Sequence, residues 1–98
     1  MDREFEGVLF VWRGPSPFHF VAVPEDVCDD LREVAGRVSY GWGMVPAQVS
    51  LGSSTWATSL YPKDGGYLVP VRDRFRRAED LGVDQVVVVR VEVGSRER

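Results

Sequence analysis

The sequence predicts a mostly β fold of six strands with two short helices. Three observations predict it. Apolar or alternating runs recur along the chain, separated by clusters of Gly, Pro, Asp and Ser. Only two segments space their apolar residues as a helix does. A strand, a proline, a short helix and a glycine also follow one another twice, in FVAVPEDVCDDLREVAG and YLVPVRDRFRRAEDLG, and each copy leads into another strand. Proline ends ladder pairing and pre-sets φ for a helix, and glycine releases the chain afterwards. The repetition reads as an internal pseudo-duplication.

Glu4 to Trp12, rich in Val, Leu, Phe and Trp, is the first strand. The turn cluster Gly14-Pro15-Ser16-Pro17 follows. Phe18 to Val23 is the second strand, stopped by Pro24. Pro24 then stands at the start of a helix, where its missing N–H costs nothing. Glu25 and Asp26 suit the positive end of the helix. Val27, Leu31, Val34 and Ala35 form one apolar stripe, and Gly36 is expected to end the helix.

Arg37 to Met44 is irregular and punctuated by glycine. Val45 to Leu51 and Thr55 to Tyr61 form a hairpin around Gly52-Ser53-Ser54. Lys63 to Gly66 is a second hairpin loop, leading to the strand Tyr67 to Val71. Phe75, Ala78 and Leu81 mark the second helix, with Gly82 as its expected end. Gln85 to Val93 is the last strand, with Val87, Val89, Val91 and Val93 on one face and Val86, Val88, Arg90 and Glu92 on the other.

A chain of 98 residues suits a single domain, which buries roughly two thirds of the surface of its unfolded chain. One Cys and one His exclude an intramolecular disulfide and a four-ligand structural zinc site. A lone cysteine fits a reducing compartment, and the longest early apolar run, Val8 to Trp12, is far below the roughly 20 residues that span a bilayer. A cytoplasmic protein with no membrane segment is expected. Twelve bases against fifteen acids, net −3, lean against a phosphate backbone as partner.

The segments FHFVAVPEDV, GWGMVPAQVSLGSSTWATSLYP and GGYLVPVRDRFRRAEDLGVDQVVVVRVEV resemble the DUF1905 family over nearly the whole chain. The resemblance implies a single-chain relative of the AbrB and MazE type of double-split β-barrel. There, two copies of strand–Pro–helix–strand close one barrel, and the pseudo-duplication would supply both. It implies one domain over residues 1–94; Ser95 to Arg98 reads as a frayed tail. Relatives carry Gly-Asp before the last strand where this chain has Val83-Asp84-Gln85-Val86, so a looser turn is expected there. Some relatives carry a second domain, of a bacteriocin-protection type, for which this chain is expected to be too short.

Each candidate residue has a plain alternative. Arg72, Arg74, Arg76 and Arg77 could grip an anion, but Asp73, Glu79 and Asp80 interleave, and a solvated helix face is the simpler reading. Arg76 stands out because it matches an arginine that recurs in the family. Trp12 and Trp56 are expected in the core; Trp42, between Gly41 and Gly43, is as well placed for a partner as for packing. His19 is expected as a packed or edge histidine. Carboxylates around Cys28 disfavour a nucleophilic thiolate. Thr55 and Ser59 share one strand face, and Trp56, Thr58 and Leu60 the other. No catalytic, metal or cofactor motif is present.

The candidate ligand-binding set is therefore Trp42, Gly43, Thr58, Ser59 and Arg76, with no catalytic or metal-ligating residue and no cofactor. The leading expectation is a non-catalytic binding or interaction module for a small anion or a protein partner. A nucleic-acid-associated regulator or antitoxin-like protein, by analogy with the barrel type, comes second. It is disfavoured by the acids Glu25, Asp26, Asp29, Asp30 and Glu33 on the first helix. A small enzyme comes third. The oppositely charged helices suggest a monomer or a weak head-to-tail homo-oligomer.

Overall fold

The computed structural model describes residues 1–13 and 18–94. The turn read at Gly14 to Pro17 and the tail at 95–98 lie outside the described residues. The elements run β1 (Asp2–Trp12), β2 (Phe18–Ala22), α1 (Glu25–Val38), β3 (Val45–Leu51), β4 (Ser54–Lys63), β5 (Gly66–Val71), α2 (Asp73–Ala78) and β6 (Val86–Glu92). The six strands close an antiparallel barrel in the order β1-β2-β5-β4-β3-β6. Exchanging β1 with β4, β2 with β5 and β3 with β6 leaves that order unchanged, as the twofold pattern in the sequence requires.

The two longest strands each serve two neighbours. Residues 2–8 of β1 pair with β6, and residues 9–12 pair with β2. Residues 54–60 of β4 pair with β3, and residues 61–63 pair with β5. Each long strand thus leaves one partner to join another. The barrel is filled from alternate positions: Leu9, Val21, Val45, Val49, Leu60, Val69, Val89 and Val91 are all fully buried. The β-branched residues among them fit this pleated interior.

Trp12 departs from expectation. It is 43% exposed rather than core. Phe5 and Leu9 point inward, so the strand period of two puts Trp12 outside, where Lys63 Nζ lies 4.5 Å from its ring centroid. Trp56 is buried as expected, at 6% exposure.

Pro24 is the N-cap of α1, and its carbonyl accepts the Cys28 N–H at 2.9 Å. Val27, Cys28 and Leu31 face the barrel. Gly36 does not end the helix, which runs on to Val38, where the Ser39 N–H closes it on the Ala35 carbonyl at 2.8 Å. Gly36 faces open space, so its cost is only the roughly 1 kcal/mol propensity penalty against alanine. Arg3 of β1 ties α1 down through Asp26 and Asp30.

The second copy is built differently. Pro70 lies inside β5, opposite Phe20, and Arg72 rather than a proline is the N-cap of α2. Gly82 does not end α2 either. Asp80, at φ 55°, takes the left-handed position, with Leu81 N–H on the Arg76 carbonyl at 2.9 Å and Asp80 N–H on the Arg77 carbonyl at 3.1 Å. These are the paired bonds of a Schellman ending, with Asp where Gly is usual. The turn before β6 is tight, where a looser one was expected. Gln85 N–H donates to the Gly82 carbonyl at 3.2 Å, and Gly82 N–H to Gln85 Oε1 at 3.0 Å.

Candidate functional site

The groove beside β5 follows from the strand pairing. The β4–β5 register stops at Tyr61 opposite Leu68, while β2 and β5 stay paired through Phe20–Pro70 and His19–Val71. Thr58 and Ser59 on β4 and Pro70 and Val71 on β5 become the banks of an opening of about 470 Å³. The equivalent place where β1 leaves β2 is closed. A Cβ on Gly7 would lie 2.5 Å from Val21 Cγ1 and 3.1 Å from the Ala22 carbonyl oxygen. One half of the twofold pattern is sealed, and the other is open.

The groove is amphipathic. Phe18, Phe20 and Tyr61 form a cluster along it, with ring centroids 6.4 Å and 5.7 Å apart in that order. Tyr40 and Met44 reach it from the loop between α1 and β3. The loop is pinched by reciprocal 2.9 Å bonds between the Tyr40 and Met44 backbones, and Gly41 and Gly43 supply its positive φ values, 59° and 90°. The Tyr40 and Ser59 hydroxyls hydrogen-bond to each other across the chain.

His19 and Arg72 complete the polar lining. His19 is packed, its side chain 15% exposed, with Nδ1 3.6 Å from Asp73 Oδ1. Arg76 Nε lies 3.5 Å from the same oxygen. Burial, and then the Arg76 charge, push the His19 pKa below its ordinary value, against the opposing pull of Asp73. His19 is therefore neutral at pH 7. Arg72 is exposed at the rim, and among the described residues its side chain makes no ion pair or hydrogen bond.

A pH prediction follows. The native state resists protonating His19 while the unfolded chain takes the proton near pH 6.5. The stability this confers is present above that value and is lost as pH falls through the lower native pKa. Urea midpoints are expected to drop between pH 7.5 and 5.5, and less so in His19→Gln. Equal drops in both proteins would contradict the assignment.

The five candidate residues do not line one cavity. Thr58 and Ser59 line the groove. Trp42 lines an adjoining hollow of about 430 Å³, which shares Met44 and Tyr61 with the groove. Gly43 shapes the loop and packs by Pro62. Arg76 stands behind His19, held by Asp73 and, from Nη1, by the Leu81 carbonyl at 3.3 Å. The arginine that faces the groove is Arg72. Sequence reading missed Tyr40, Tyr61, Phe18 and Phe20 as lining residues. Alternation places Phe18 and Phe20 together, but nothing in the sequence signals the meeting of Tyr40 and Ser59.

Fold and groove define a class: a small closed β-barrel with a lateral, aromatic-walled opening between β4 and β5. The family model for DUF1905, a domain of unknown function, matches residues 5–91, and the chain belongs to that family. No curated protein matches it. No helix among the described residues is long and apolar enough to cross a membrane.

Proposed function

We propose that the protein is a non-catalytic binding module whose groove between β4 and β5 takes a small organic anion. The observation that carries this is Arg72: a guanidinium with no protein partner among the described residues, at the rim of a groove walled by aromatic rings and hydroxyls. Ligand sites of roughly 300–1,000 Å³ combine apolar walls with a few placed polar groups in this way. A guanidinium fork suits a carboxylate or phosphate oxygen pair. The Ser59 hydroxyl is engaged by Tyr40 rather than by His19, an arrangement that suits recognition better than nucleophilic attack. The acids of α1 speak against a nucleic-acid partner.

The test is an amide-NMR screen of small organic acids. Binders are expected to shift residues 18–20, 58–61 and 70–73. Arg72→Gln is expected to weaken them about tenfold or more, as loss of one charge-assisted pair would. Shifts mapping elsewhere, or affinities unchanged in Arg72→Gln, would refute the proposal.

A further inference from the structure

We infer that the groove's ligand is a flat aromatic monocarboxylate, its carboxylate on Arg72 and its ring plane among Phe18, Tyr40 and Tyr61, toward the hollow that Trp42 lines. This rests on the anion-binding reading above and narrows it to one chemical class.

Charge sets the first limit. Arg72 and Asp73 both line the small recess at the groove's end, together with His19. His19 is neutral and Arg76 is tied to Asp73 and the Leu81 carbonyl. The recess therefore holds one unpaired cation beside one carboxylate that is itself largely exposed. A single negative charge shared between two oxygens matches one guanidinium fork. A phosphate dianion would bring a second charge against Asp73 with no further cation to meet it.

The walls set the second limit. Phe18, Tyr61 and Tyr40 are 59%, 46% and 54% exposed, and all three line this opening. The hollow under Trp42 shares Tyr61 and Met44 with the groove, so the two adjoin at Tyr61. Trp42 itself is 95% exposed, carried between two glycines at positive φ. A planar ring lying along Tyr61 would face the hollow that Tyr61 shares with Trp42, and aromatic pairs contribute beyond their buried area. A two-carbon acid would reach Arg72 and leave every one of these rings in water.

The test titrates the whole protein at fixed ionic strength with four probes: 2-naphthoate, acetate, adenosine monophosphate and neutral 2-naphthylmethanol. Amide NMR and tryptophan fluorescence report binding. 2-Naphthoate is expected to bind saturably at residues 58–61 and 70–73 and to perturb the indole N–H of Trp42. Acetate and 2-naphthylmethanol are expected to bind at least tenfold more weakly. Arg72→Gln and Tyr61→Ala should each weaken 2-naphthoate, with unchanged thermal midpoints showing that both variants are folded. Trp42→Phe should abolish the fluorescence response while 2-naphthoate still binds. Tighter binding of adenosine monophosphate at the same residues would overturn the monocarboxylate class and leave the anion reading standing. Equal binding of 2-naphthylmethanol and 2-naphthoate, or no binding of any anion, would overturn both.

Discussion

Replacing Trp56 by alanine is expected to destabilise the protein by about 3–5 kcal/mol, the range for emptying a large buried aromatic site. Trp56 is 6% exposed and lies opposite Val49 in the β3–β4 ladder. Its ring stacks on Phe75 with centroids 4.4 Å apart and planes 12° from parallel. α2 has no fully buried residue of its own, so that stack is its main apolar anchor. The substitution would both leave a cavity and release α2, and with it the rim carrying Arg72 and Asp73. Against a typical total of about 5–15 kcal/mol, much of the stability would go. Urea denaturation measures it, and Phe75→Ala should cost less, because Phe75 is only half-buried. A loss below about 1 kcal/mol for Trp56→Ala would mean that α2 and the barrel end are held by something else.

Gly52→Ala is expected to cost about 2–3 kcal/mol, from two separable causes. Gly52 has φ +60°, which strains any side chain. An added Cβ would also lie 2.0 Å from Glu79 Oε1. Glu79 Oε2 accepts the Ser54 hydroxyl at 2.7 Å and the Ser53 N–H at 3.2 Å, so this carboxylate fastens the end of α2 to the β3–β4 turn. Alanine would push it out. In a Glu79→Ala background the same glycine change should cost only the backbone part, about 1 kcal/mol. Additive losses in the double variant would show that the two residues are not coupled.

Much of the barrel was legible because period-two patterning is a direct imprint of burial. In β6, Val87, Val89 and Val91 are buried while Val86, Val88 and Arg90 are exposed, as the alternation requires. The twofold repeat was legible because proline and glycine act locally. Gly36 sits inside a helix because nothing crowds it, and Asp80 takes the left-handed position expected of glycine. Trp12 lies outside because strand parity, not hydrophobic identity, sets the face of a strand residue. The groove was legible only in Thr58 and Ser59. It exists because β4 leaves β5 after three paired rungs, a matter of register between strands rather than of either strand alone. For the same reason Arg72 and Arg76, four residues apart, cannot be told apart by sequence: one meets Asp73 and a helix-end carbonyl, and the other meets the groove.

The most direct measurement is native mass spectrometry of protein purified gently from its own host, wild type beside Arg72→Gln. A small organic acid bound in the groove predicts extra mass on the wild-type chain, removable by mild activation and missing from the variant. Extra mass that persists undiminished on Arg72→Gln would contradict binding at the β4–β5 opening.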